Sequence, residues 1–166
     1  MHTLIIWLRF VHIVTGTFWV GGAFLVAGFI APTVRALGPA AAPVMRHLTA
    51  VQKLPIWLLL AGLASLVSGT FLMWITSGGS ITHWVHSGSG ATYAIGAVAA
   101  VVAAIIGTGI NIPTAIRLGR LATKRENAHR PDLGSVLARR LANGTRAVAV
   151  LLLVAVSAMA VARYVS

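Results

Sequence analysis

The chain has 166 residues, of which 58% are apolar and only 9% charged, and it contains no cysteine. Globular domains carry roughly 25% charged residues, so the composition points to an integral membrane protein, and the missing thiols exclude disulfides, thiolate metal sites, iron–sulfur ligation and Cys catalysis. A net charge of +11 would suggest nucleic acid in a soluble protein, but here the basic residues lie mainly between apolar segments, where orientation and anionic lipid explain them and no nucleic-acid partner is expected.

The first predicted span covers residues 4–31. Those residues would rise roughly 42 Å as a helix, more than a hydrocarbon core of about 30 Å, so Trp7 and Arg9 are expected in the interface, and Pro32 is expected to end the span. The n-region lacks Lys or Arg and the apolar run is too long for a secretory signal, so this reads as a permanent first span. "ALGPAAAPVMRHLTAVQKLP" follows. Gly38 and Pro39 mark a turn, Pro43 can open a helix, and Val44, Leu48 and Val51 share a face, which predicts a short amphipathic helix on the membrane surface. The second span covers residues 55–76. "SGGSITHWVHSGSG" is a polar loop without Lys or Arg. The third span covers residues 91–113, with continuation through the proline into "AIRLGRLATKRE" allowed. "RPD" predicts a break and Ser135 a cap. The fourth span, residues 146–164, is the shortest, with arginines at both ends that can snorkel.

The first loop has Arg35, Arg46 and Lys53, the third has eight basic residues, and the middle loop has none. The apolar spans predict an all-α four-helix bundle forming one transmembrane domain, residues 1–166, and the positive-inside rule orients it N-out and C-out. No convincing internal repeat is apparent.

At about 100° per residue, Arg9, His12, Gly16, Trp19, Ala23 and Ala27 share one stripe of the first helix. Stripes of small residues face neighbouring helices, so His12 is expected inside the bundle. Gly16 either leaves room for a flat ligand or lets two helices approach. Gly62, Ser65 and Gly69 form a similar stripe on the second span.

Candidate ligands gather toward the outer side. His12 lies in the outer third of the first span, His83 and His86 stand in the outer loop, and Met73 and Met159 lie near the outer ends of spans two and four. Imidazole and thioether are the axial ligands of haem, and both also bind copper. The bland readings are solvated loop histidines and core methionines; His12 differs because ionisable groups in spans are functional by default. Arg9 is either a snorkelling anchor or a partner for a carboxylate such as a haem propionate. The only acids, Glu126 and Asp132, belong to the basic third loop. That scarcity excludes carboxylate-pair hydrolysis, a Ser–His–Asp set across one side of the membrane, and an acid-ringed cation channel. Walker and dinucleotide motifs are absent.

"WLRFVHIVTGTFWVGG" resembles the first-helix signature of a loose group of bacterial four-helix membrane proteins. The group includes the copper-resistance protein D family, HemJ-type protoporphyrinogen oxidases and uncharacterised relatives. Trp7, Arg9, His12, Ile13, Trp19, Gly21 and Gly22 carry the likeness, and "APTVRALGP" and "GTGINIPTAIRLGRL" resemble the uncharacterised relatives. The resemblance implies a bacterial inner-membrane protein in which the motif histidine, here His12, binds haem. The basic residue expected soon after the Trp does not come until Arg35, and the third span lacks a lysine, both against protoporphyrinogen oxidation.

Three readings follow. The first is b-type haem near the outer face, in electron transfer or a haem-linked oxidation with a quinone or other redox partner. His12 is one axial ligand, His86, His83, Met73 or Met159 the other, and Arg9, Gly16 and Trp19 line the site. The second is copper handling, with His12, His83 and His86 as metal ligands. The third is a cofactor-free accessory subunit whose small-residue stripes serve a homo-oligomer or larger membrane complex.

Overall fold

A computed structural model describes residues 2–123 and 131–165, without the side chains of residues 39, 42, 119–123, 131 and 132. Glu126 and the basic residues between 124 and 130 lie outside the described residues, as do the side chains of Arg120 and Asp132. Every regular element among the described residues is helical. Four helices are long and apolar enough to cross a membrane: span 1 (His2–Leu37), span 2 (Leu54–Thr76), span 3 (Gly88–Leu118) and span 4 (Leu133–Tyr164).

Pro32 does not end span 1. The helix widens into a π turn at Val26–Ile30, where the Ala31 N–H donates to the Val26 carbonyl, and a new α segment, Ala31–Leu37, begins at once. Pro32 thus falls in the opening turn of that segment, where a missing N–H costs little. Pro113 is passed the same way. A π turn covers Gly107–Asn111, the Ile112 N–H donates to Gly107, and the helix runs on to Thr123. Gly38, with φ of 54°, stops span 1 in a conformation that favours glycine.

Span 3 begins earlier than expected because Ser87 caps it, its hydroxyl accepting the Gly90 N–H at 3.1 Å. Span 4 takes in most of a 31-residue α-helix, Pro131–Val161, and the 3-10 turn that follows it, Ala162–Tyr164. Ser135 therefore lies inside the helix rather than at its cap, and the apparent shortness of this span came from counting only its uncharged stretch. The first connection holds a short helix, Ala42–Arg46, continued by a π turn, His47–Val51. Val44 and Val51 are both more than half exposed while Leu48 between them is half-buried, so most of this apolar face points away from the protein.

Span 1 packs chiefly against span 2, and span 3 against span 4; span 4 also touches span 1, and span 2 touches span 3. The shared core is small: Trp19, Ala23, Ala61, Ala99, Ala100, Ala103, Val148, Leu152 and Ala155. Lipid removes most of the hydrophobic reward for helix association, so close backbone approach supplies the packing. Bulky residues such as Ile13, Phe29, Val98 and Ile105 are instead largely exposed, forming the apolar exterior that a lipid-facing bundle requires.

Candidate functional site

The face between spans 1 and 2 is built from missing side chains. A Cβ at Gly62 would stand 2.9 Å from Cε2 of the Trp19 indole, and one at Gly16 would stand 3.1 Å from Ser65 Oγ. A Cβ at Gly22 would collide with Leu58. Glycine at position 62 is a steric requirement, since the rigid indole cannot give way, whereas a side chain at Gly16 or Gly22 would have to push aside the Ser65 hydroxyl or the end of the Leu58 side chain. Gly16 therefore adjoins Ser65 and allows close helix approach. Trp19 is buried, its ring laid across the gap that Gly62 provides.

His12 completes this interlock one turn beyond Gly16. Its ring lies over Gly69, where a Cβ would be 2.8 Å from Cε1 and 3.1 Å from Nδ1. The Nδ1–H donates to the backbone carbonyl of Ser65 at 2.8 Å. That carbonyl also accepts the Ser68 hydroxyl at 3.1 Å. The bond fixes the tautomer: the proton sits on Nδ1, and Nε2 keeps its lone pair in the neutral ring. This is how histidine is held when its other nitrogen binds a metal, with a backbone carbonyl orienting the ring. The Ser65 carbonyl escaped sequence reasoning because a backbone acceptor has no residue signature; the Gly62–Ser65–Gly69 stripe was the only trace of it.

The other candidates are spread over the molecule. Arg9, one turn from His12 toward the N-terminus, is exposed, beside an edge-to-face pair of Trp7 and Phe10 with centroids 5.9 Å apart. Met73 is half-buried, one turn beyond Gly69 and on the continuation of the stripe that meets His12. Met159 belongs to the other hairpin, its Cγ 3.4 Å from where a Cβ at Gly96 would be. His83 and His86 are exposed, on or just after the short helix Ile81–Trp84. The His86 Nδ1–H donates to the Thr82 carbonyl at 2.7 Å. Among the described residues no three of His, Cys, Asp and Glu come close enough together to hold a metal ion.

Two further features were not singled out in the sequence. Trp84 stacks on Tyr93, with centroids 5.8 Å apart and planes 15° apart, and holds the histidine-bearing connection against the start of span 3. At the opposite end of the bundle, Asn111 fits into the notch left by Gly144 on span 4, and its Oδ1 is buried without a hydrogen-bond partner among the described residues. Comparison with family models, with curated proteins and with solved structures finds no match for this chain.

Proposed function

We propose that the chain is a multi-pass plasma-membrane protein, N-out and C-out, that binds a b-type haem near its outer face through Nε2 of His12. The observation that carries this reading is the 2.8 Å bond from His12 Nδ1–H to the Ser65 carbonyl, which leaves the other ring nitrogen poised as a ligand. Met73 is the favoured second ligand, because it continues the Gly69 stripe toward the same end as Arg9. Arg9, exposed and without an acid nearby in sequence, would hold a propionate. Bound haem supplies a one-electron couple suited to electron transfer with a quinone or similar partner. The chain's own residues fix the imidazole and exclude water: Trp19, Gly16 and Gly62 seal the interface on the side away from the outer face. The orientation rests on the basic first and third connections.

Copper handling is the second reading. It draws on His86, whose Nδ1–H is committed to Thr82 and whose Nε2 is therefore free. Titrating the purified chain with haemin and, separately, with Cu(I) divides the two. The haem reading expects saturation at one haem per chain in the wild type and loss of binding in His12→Ala. Saturable copper binding with no haem uptake would replace it with the second reading.

A further inference from the structure

Two stretches carry the same break. "GFIAPTVRALG", residues 28–38, and "GINIPTAIRLG", residues 109–119, match at Gly28/Gly109, Pro32/Pro113, Thr33/Thr114, Leu37/Leu118 and Gly38/Gly119, all at a spacing of 81 residues. The π turns Val26–Ile30 and Gly107–Asn111 obey the same spacing at both ends. The packing follows suit: span 1 pairs with span 2 as span 3 pairs with span 4, and the cross-contacts, span 1 with span 4 and span 2 with span 3, change places when the two halves are swapped.

The hydrogen bonding at the two breaks is also alike. The Ala31 N–H is taken by Val26 and residue 32 is proline, so the Ala27 carbonyl has neither its i+4 nor its i+5 backbone donor. The Ile112 N–H is taken by Gly107 and residue 113 is proline, so the Thr108 carbonyl is in the same position. Neither π turn contains a buried residue, and a Cβ at Gly28, Gly107 or Gly109 would meet nothing within 4 Å. A helix with a missing rung and open space beside its glycines opens more readily than its neighbours, the Asn111 side chain being the one group of either turn set into a neighbouring helix. Pro, Gly and π turns are where long helices bend, and a π turn inside an α-helix is a common functional irregularity.

We infer that the chain is two copies of one helical hairpin, and that the matched π turns are paired hinges. Each hinge lets the end segment of its span, Ala31–Leu37 or Ile112–Thr123, swing while the rest of the span stays clamped to its hairpin partner. In the first half that clamped part carries His12. The Asn111 side chain in the Gly144 notch has no counterpart at Ile30, so the second hinge is latched to span 4 where the first is not.

Hydrogen–deuterium exchange on the full chain in detergent micelles tests this, with no cofactor needed. Amides of residues 28–34 and 109–115 are expected to exchange about tenfold faster than those of residues 12–22 and 93–103, as befits one missing hydrogen bond. Pro32→Ala and Pro113→Ala restore a donor, favour the helix and so remain folded; each is expected to slow its own break and leave the other unchanged. Gly144→Ala is expected to speed the second break alone. Exchange at the flanking rate in either break, or no response to the proline substitutions, would overturn the inference. It stands or falls independently of haem binding.

Discussion

The sharpest perturbation of the His12 site is a single methyl group. In Gly69→Ala the new Cβ would lie 2.8 Å from His12 Cε1, so the ring must retreat by about 0.6 Å to recover ordinary contact. That retreat stretches the 2.8 Å bond to the Ser65 carbonyl toward about 3.4 Å, where N–H···O bonds weaken steeply. The lost bond costs about 1 kcal/mol, and replacing a mid-helix glycine by alanine returns about 1 kcal/mol. Thermal stability is therefore expected to change little while the ring loses its fixed tautomer. The assay is nitrogen NMR of ¹⁵N-histidine-labelled protein, with His12→Ala assigning the signal. Wild type should show a protonated Nδ1 and unprotonated Nε2 at His12, and Gly69→Ala a mixture of tautomers together with weakened haem uptake. An unchanged tautomer and unchanged haem uptake in Gly69→Ala would refute the claim that this contact positions the ligand.

Three other substitutions probe the frame around the site. Gly62→Ala drives a methyl into the rigid, buried Trp19 indole, 2.9 Å from Cε2, and should lower stability by about 1–3 kcal/mol in reversible unfolding in mixed micelles, whereas Gly21→Ala meets nothing within 4 Å and should stabilise by up to about 1 kcal/mol. Ser87→Ala removes the cap on Gly90 N–H and should cost about 1 kcal/mol, read as earlier melting of the 81–96 region in proteolysis. Asn111→Leu replaces a buried oxygen without a partner by an apolar group of similar size and should raise stability by about 1–3 kcal/mol, measured by the same unfolding assay.

The spans were readable because lipid-crossing helices announce themselves by apolar length, and the stripes were readable because 3.6-residue periodicity places Gly62, Ser65 and Gly69 on one face. The passage through Pro32 and Pro113 was not. A π turn depends on one hydrogen bond reaching back five residues instead of four, and no residue type encodes that choice. Span 4 was underestimated because Arg146 suggested an end, although a long cation on an exposed face interrupts apolarity without interrupting the helix. The repeat was hidden for a related reason: five matched positions carry little weight until two identical backbone irregularities fall in the same register. At the candidate site, sequence periodicity pointed His12 inward but could not find its partner, since any helix carbonyl can accept a histidine proton.

Whether His12 holds a haem is read from the reduced-minus-oxidised absorption spectrum of protein purified from haem-replete cells, recorded beside His12→Ala. A haem on His12 gives the wild type a Soret band that shifts and sharpens on dithionite reduction, at one haem per chain, and this band is lost in His12→Ala while the variant remains folded. A colourless wild type, or a variant that keeps the full spectrum, would contradict it.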